Sequence, residues 1–387
     1  MPYKMPRMHL HDHSAGGRRP FRDFMKQRTL LLLSLGLAAL LSGCAAPTTH
    51  RTKVDDALIE IEARKQREIA FDTMLSGRQR LTAIAHPLLK AAAPLCGEET
   101  HLSLGAVFTN KYLFAEEFRD IAVVKLGVGE PLQILQVIGG SAAQRAGLMA
   151  GDIIVSLNGQ SVPTGEDALK RFADILEESL KEGAPARIRV VRGDDRLSFQ
   201  ATPERICSYA VMLGPGDEVN AYADGQRIVI AGGMLRFARS DNELALVVAH
   251  ELAHNAMGHI KAKMQNYMLG SLLDILAAAA GVNTQGVFGN MAAQAYSQEF
   301  EAEADYVGLY IMARAGLETA GAANFWRRMA AIHPGSIGRN HAATHPATAE
   351  RFLAIEKTVA EIENKKAAGL PLEPRYKADK KPGGDGP

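Results

Sequence analysis

The segment His250-Glu251-Leu252-Ala253-His254 constrains the fold more than any other stretch of the chain. Two histidines four positions apart on an α-helix stand on one face, with Cβ atoms about 5–6 Å apart. The preceding residues place Leu244, Val247 and Val248 at helical spacing, with Ser240 or Asp241 available as N-cap. The histidine pair therefore lies on a mostly buried helix. Buried imidazoles with a glutamate between them need polar partners, and a metal ion is the simplest single one. In H-E-x-x-H the two imidazoles hold the ion. Glu251 stands one position round, beside the metal, where it can take a proton from water. Zinc suits this donor set, and one Zn2+ per chain is expected.

A catalytic zinc needs a third protein ligand and one open position. The pattern H-E-x-x-H-x-x-G-x-x-H would require Gly at 257 and His at 260, where this chain has Met257 and Ile260. His259 is one residue out of register for it. A glutamate from a second helix is the alternative. Residues 298–309 supply Glu299, Glu301, Glu303 and Asp305. Glu301 and Asp305 are four apart and share a helix face. Glu301 can bind the ion, and Asp305 can accept the outer N–H of a ligand histidine. Glu299 and Glu303 compete for the ligand role, because an acidic run is more often a solvated face.

The combination of H-E-x-x-H with E-x-E-A-D resembles the gluzincin zinc metallopeptidase family that contains HtpX, the CAAX prenyl proteases and BepA. Val219–Ala223 followed by Ile228–Leu235 resembles that family's strand pair and turn ahead of the zinc helix. In gluzincins generally the edge strand here holds substrate backbone by β-augmentation. The resemblance assigns Glu301 as third ligand. Thr344-His345-Pro346 with Glu350-Arg351-Phe352 resembles a C-terminal stretch of the family. It implies that His345 lies near the zinc, as a catalytic stabiliser or an inhibitory fourth ligand, and that Arg351 is an oxyanion or orienting group.

From Met25 the chain reads as a charged segment, an apolar run from Leu30 to Leu41, and Leu41-Ser42-Gly43-Cys44. This resembles a bacterial lipoprotein signal, with Cys44 as the lipidated residue. The apolar run is too short for a membrane span of about 20 residues. Residues 1–24 read as a spurious N-terminal extension and 25–44 as the signal peptide. The resemblance implies a lipid-anchored protein facing the periplasm, on the outer membrane in preference to the inner. After Cys44 the chain holds 37 Lys/Arg against 41 Asp/Glu, with no basic patch for nucleic acid. Cys96 and Cys207 then form an even pair, which in an oxidising periplasm reads as a disulfide.

Those cysteines bracket a different module. Residues 137–159 read as strand, short helix, turn, strand and Asn-Gly hairpin turn. Ala168 to Leu180 is helical and Ala186 to Val191 a strand. The stretch resembles the PDZ modules of HtrA-type proteases. The resemblance implies that Leu126, Gly127 and Val128 form the loop that receives a peptide's C-terminal carboxylate.

The expected fold class is α+β, with a mainly helical gluzincin metalloprotease domain, a small edge sheet and an inserted β-rich PDZ domain. The protease domain is expected at 45–120 and 204–362, the PDZ domain at 121–203 and a disordered tail at 363–387. Helices should span about 53–94, with Pro87 kinking or breaking the last of them. The connector 260–297 is apolar and reads as a lid or plug over the site, or as an ordinary core helix. The expected activity is zinc-dependent endopeptidase action on misfolded or unassembled envelope proteins, with the outer-membrane assembly machinery as a further partner. The alternative is a protease-related chaperone or adaptor with low or latent proteolysis.

Overall fold

The computed structural model describes residues 47–294, 297–332 and 348–377. Of these, the residues up to Glu62 belong to one unit and those from Ala63 onward to a second. Cys44, the apolar run before it and His345 lie outside the described residues. The architecture is α+β.

Helix α1 (Asp56–Ala92) buries Leu81, Ile84, Ala85 and Leu88, the i, i+3, i+4, i+7 set of a core-facing stripe. It runs through Pro87 without breaking. The missing N–H leaves one carbonyl of the ladder without its helical partner. That loss falls close to the C-terminal end, where Leu88, Leu89 and Ala92 are all buried.

Strands β1 (Thr100–Ser103) and β2 (Ala106–Thr109) follow, then helix α2 (Glu116–Leu126). Next come β3 (Gln133–Val137), α3 (Ala142–Ala146), β4 (Ile153–Leu157), β5 (Gln160–Ser161), α4 (Ala168–Ser179), β6 (Ala186–Arg192) and β7 (Asp195–Ala201). One antiparallel sheet runs β2-β3-β4-β6-β7, with β5 hairpinned onto β4. It closes over a core of Leu132, Ile134, Ile154, Leu157, Phe172 and Ile188. Asp152 is fully buried there, and the Arg192 guanidinium forks onto it at 2.6 and 2.8 Å. The inserted module thus opens with Ala106–Thr109, ahead of α2, and not at residue 121. The reason is that β2 supplies the edge strand, while α2 packs through Ile121 and Ala122 onto Phe71 of α1.

Strand β8 (Glu204–Cys207) pairs antiparallel with β1, from Thr100↔Cys207 to Ser103↔Glu204. This two-stranded neck joins the sheet module to the rest. Cys96 and Cys207 are bonded beside it, 111 residues apart in sequence with Cα atoms 5.8 Å apart. Glu204 on the neck accepts from Lys90 of α1 at 2.8 Å and from Arg145 of α3 at 2.6 Å, so one carboxylate ties both sides together.

Three short strands come next: β9 (Ala210–Gly214), β10 (Ala221–Ala223) and β11 (Arg227–Ala231), in the order β10-β11-β9. β10 is antiparallel and β9 parallel to the central strand. The helices are α5 (Gly232–Phe237), α6 (Asp241–Ala256), α7 (His259–Ala279), α8 (Val287–Gln294), α9 (Ser297–Arg314), α10 (Ala322–Ile332) and α11 (Ala349–Ala367). α6, α9 and α10 meet around Leu244, Val248, Leu252, Val307, Tyr310 and Phe325. Each such side chain contributes about 1.5–3 kcal/mol on burial.

Two further expectations change. The tail set at 363 begins inside α11, and Leu372 and Tyr376 beyond that helix pack on the same core. Helix α7 is not a core helix: Leu269, Ile275 and Leu276 are 64–66% exposed. Among the described residues no helix is long and apolar enough to cross a membrane.

Candidate metal centre

Helix α6 starts on Ser240, whose hydroxyl accepts from the Glu243 N–H at 3.2 Å. The Glu243 carboxylate reaches back to the Arg239 N–H at 2.7 Å, a variant of the reciprocal cap at helix starts. Arg328 of α10 forks onto the same carboxylate at 2.8 and 2.7 Å, holding it below its usual range. The start of the helix is thus locked against its neighbour. Everything from Leu244 to Asn255 is buried.

Helix α9 crosses α6 at Gly308. A Cβ there would lie 3.1 Å from the Ala249 carbonyl and from the His250 nitrogen, so a larger residue would push the helices apart by a few tenths of an ångström. The crossing brings Glu301 to the two histidines. His250 Nε2 is 3.3 Å from Glu301 Oε2, His254 Nε2 is 3.4 Å from Glu301 Oε1, and the two Nε2 atoms are 3.2 Å apart. All three residues are buried, and they form a group able to hold a metal ion. Glu251 is 3% exposed on the same helix. Of the acidic run, Glu299 is exposed and Glu303 points elsewhere, which leaves Glu301 as the carboxylate in the triangle.

Each histidine is oriented from behind. His250 Nδ1 lies 2.9 Å from Asp305 Oδ1, and Arg351 forks onto Asp305 at 2.6 and 3.0 Å. The Arg351 guanidinium also sits over the Trp326 ring at 4.7 Å, and that ring lies edge-on to His250 at 5.2 Å. Arg351 thus contacts Asp305, which stands between it and His250. His254 Nδ1 is 3.0 Å from His259 Nδ1, whose Nε2 is 3.0 Å from Glu303 Oε2. With the two Nε2 atoms turned toward Glu301, each Nδ1 faces away from it, His250 toward Asp305 and His254 toward His259, the outward contacts that orient a metal-binding imidazole.

The metal-free electrostatics reflect this crowding. Burial works to lower His250, but the hydrogen bonds to Asp305 and Glu301 raise it to about 10. Burial pulls His254 down to about 4, and His250 adds to that against Glu301. Burial would raise Asp305, yet Arg351 and His250 hold it below the usual carboxylate range.

Sequence reasoning did not assign His259, Trp326 or Gly308. His259 had a signal: Gly258 just past the helix adopts φ +69° and starts α7 at once, which folds His259 back under His254. The PDZ loop residues lie apart from this centre. Leu126 ends α2, Gly127 caps it at φ +65°, and Val128 is 2% exposed among Phe71, Phe114 and Ile121. A cleft of about 670 Å³ lies instead between β1–β2 and α4, lined by Leu102, Leu104, Phe108, Ala173 and Leu176. Leu126, Gly127 and Val128 do not line it.

Residues 196–359 match the model of peptidase family M48, and residues 133–192 match a PDZ domain. The mitochondrial metalloendopeptidase OMA1 of Schizosaccharomyces pombe is 30% identical over 37% of this chain and 44% of its own. The metalloprotease LoiP of Escherichia coli is 31% identical over 36% of this chain and 58% of its own. The beta-barrel assembly-enhancing protease of Yersinia pestis is 28% identical over 30% of this chain and 26% of its own. The chain thus spans about half the length, or less, of these curated relatives. A solved HtrA3 PDZ domain with a phage-derived ligand aligns with 28% of this chain and 88% of its own at 25% identity, with a TM-score of 0.20. Over residues 196–359 the chain is thus similar to peptidase family M48, and over residues 133–192 to a PDZ domain.

Proposed function

We propose that this protein is a zinc-dependent endopeptidase of the bacterial envelope that cleaves misfolded or unassembled envelope proteins. The observation that carries the reading is the ligand triangle. A tetrahedral zinc with bonds of about 2.0–2.1 Å needs ligand atoms about 3.3 Å apart. Here the two Nε2 atoms are 3.2 Å apart, and the Glu301 carboxylate sets one oxygen 3.3 Å from His250 Nε2 and the other 3.4 Å from His254 Nε2. Two imidazoles and one carboxylate form a catalytic donor set that leaves one position open, and a bound zinc there supplies a Lewis acid and an acidified water.

The residues do the rest. Asp305 holds His250, and His259 holds His254, so the Nε2 lone pairs converge. Glu251 is placed to accept the proton as water attacks the scissile carbonyl and to return it to the leaving amine. The buried walls, with Trp326 against His250, keep bulk water from the reacting groups. The exposed edge strand β10, which carries Tyr222 at 51% exposure, is suited to hold an extended substrate backbone. The PDZ module recruits substrate or governs access, and Cys44 is the site of lipid attachment. His345 is the residue that either aids or closes the centre. Relatives named beta-barrel assembly-enhancing protease support an envelope setting.

Cleavage of casein by the full chain tests the reading. Chelation should abolish it and stoichiometric zinc should restore it. Cleavage that is indifferent to chelator, or absent at every zinc level, overturns the proposal.

A further inference from the structure

We propose that the hairpin of α7 and α8 is a membrane-docking element that inserts its aliphatic surface into an anionic bilayer face. This goes beyond the peptidase reading and does not depend on it.

The observation is an apolar surface with no protein partner among the described residues. Met268, Leu269, Leu272, Ile275 and Leu276 of α7 are 55–66% exposed, and Met291 of α8 is 64% exposed. At about 100° per residue the exposed apolar positions from Met264 to Leu276 cover well over half of the helix circumference. A protein-binding helix presents one stripe with a polar rim. A surface that is aliphatic most of the way round suits a solvent of acyl chains.

Charge points the same way. The chain is 22% charged, yet from Met264 to Gln294 the one charged residue is Asp274. Its carboxylate is turned inward, accepting from the Thr284 hydroxyl, the Gly289 N–H at 2.8 Å and the Phe288 N–H at 3.2 Å. The turn satisfies its own backbone: Val282 N–H donates to the Ala277 carbonyl, and Gly281 caps α7 at φ +82°. Asn283 accepts from the Gln285 N–H within the same turn. Two lysines, Lys261 and Lys263, stand at the base of the hairpin, where they complement anionic headgroups.

The hairpin is also a built unit. A Cβ on Gly270 would fall 2.3 Å from the Phe288 carbonyl oxygen, and one on Gly289 would fall 2.5 Å from the Ser271 hydroxyl. The two helices therefore touch through glycines and present their larger side chains outward. Helix α7 begins at His259, the residue that contacts His254. A docked hairpin thus keeps the metal centre within one helix length, about 32 Å, of the bilayer contact.

Photo-crosslinking with the full chain tests this. Vesicles of phosphatidylethanolamine and phosphatidylglycerol would carry a diazirine acyl chain, and adducts would be mapped by peptide mass spectrometry. Adducts are expected within residues 264–291, and at lower yield when phosphatidylcholine replaces the anionic lipid. Leu272→Glu with Leu276→Glu should reduce those adducts to background while adducts at the N-terminal segment persist. Both positions are exposed, so zinc content and the circular dichroism spectrum should stay unchanged. Adducts confined to other segments overturn the proposal. So does hairpin-to-hairpin crosslinking in lipid-free solution that excludes lipid adducts, which would make a second copy of the chain the occupant.

Discussion

Replacing Gly308 with alanine tests the geometry of the metal centre far from any ligand. The added Cβ would lie 3.1 Å from the backbone of Ala249 and His250, and a shift of at least 0.3 Å is needed to reach ordinary contact at 3.4 Å. Both contact atoms are backbone on a buried helix, so α6 and α9 must part. Overpacking of this kind costs about 1–3 kcal/mol. Alanine in a helix interior is better than glycine by about 1 kcal/mol. The net is a destabilisation of about 0–2 kcal/mol for Gly308→Ala, and more for Gly308→Val. Because Glu301 rides on α9 and both histidines on α6, the same shift widens the 3.2–3.4 Å triangle and weakens metal binding. Urea unfolding in chelator gives the first quantity, and zinc competition with a chromogenic chelator gives the second. A stabilisation of about 1 kcal/mol with unchanged zinc affinity would show propensity acting alone and refute the tight crossing.

Three other outcomes follow from named contacts. Asp305→Asn should lower zinc affinity by about 10–100-fold, since it loosens His250 and strands Arg351; competition titration measures it. Replacing Cys96 and Cys207 with alanine opens a loop closed over 111 residues, and the chain-entropy model sets the ceiling at about 5 kcal/mol, read from urea midpoints. Lys90 and Arg145 overcome the effect of burial and hold Glu204 below its usual 4.5. A depressed carboxylate stabilises above its ordinary value and loses that contribution as pH falls through the folded value. With both cations about half exposed, Glu204→Gln should therefore cost about 1 kcal/mol at pH 7 and progressively less as the pH falls below 4.5, again by urea unfolding.

Some of this centre is legible in sequence because it is local. His250 and His254 follow from a four-residue spacing, and the helix around them from its apolar periodicity. Glu301 is harder: it stands in a run with Glu299 and Glu303, and burial, which separates them, is a tertiary property. Arg351 meets Asp305 across 46 residues, which no periodicity reports. His259 depends on a left-handed turn at Gly258 that reverses the chain within five residues. The start of the PDZ sheet is hidden because Ala106–Thr109 is a four-residue strand separated by α2 from its partner β3. An apolar helical run such as α7 reads alike whether it is buried or exposed, since the pattern records polarity and not surroundings.

The most direct test of the account is Glu251→Gln, measured for zinc content and casein cleavage in the same preparation. The amide keeps the size of the side chain and removes its ability to take a proton. The account predicts one zinc per chain, as in the wild type, with cleavage lost. Cleavage at the wild-type rate by the zinc-loaded variant would contradict it.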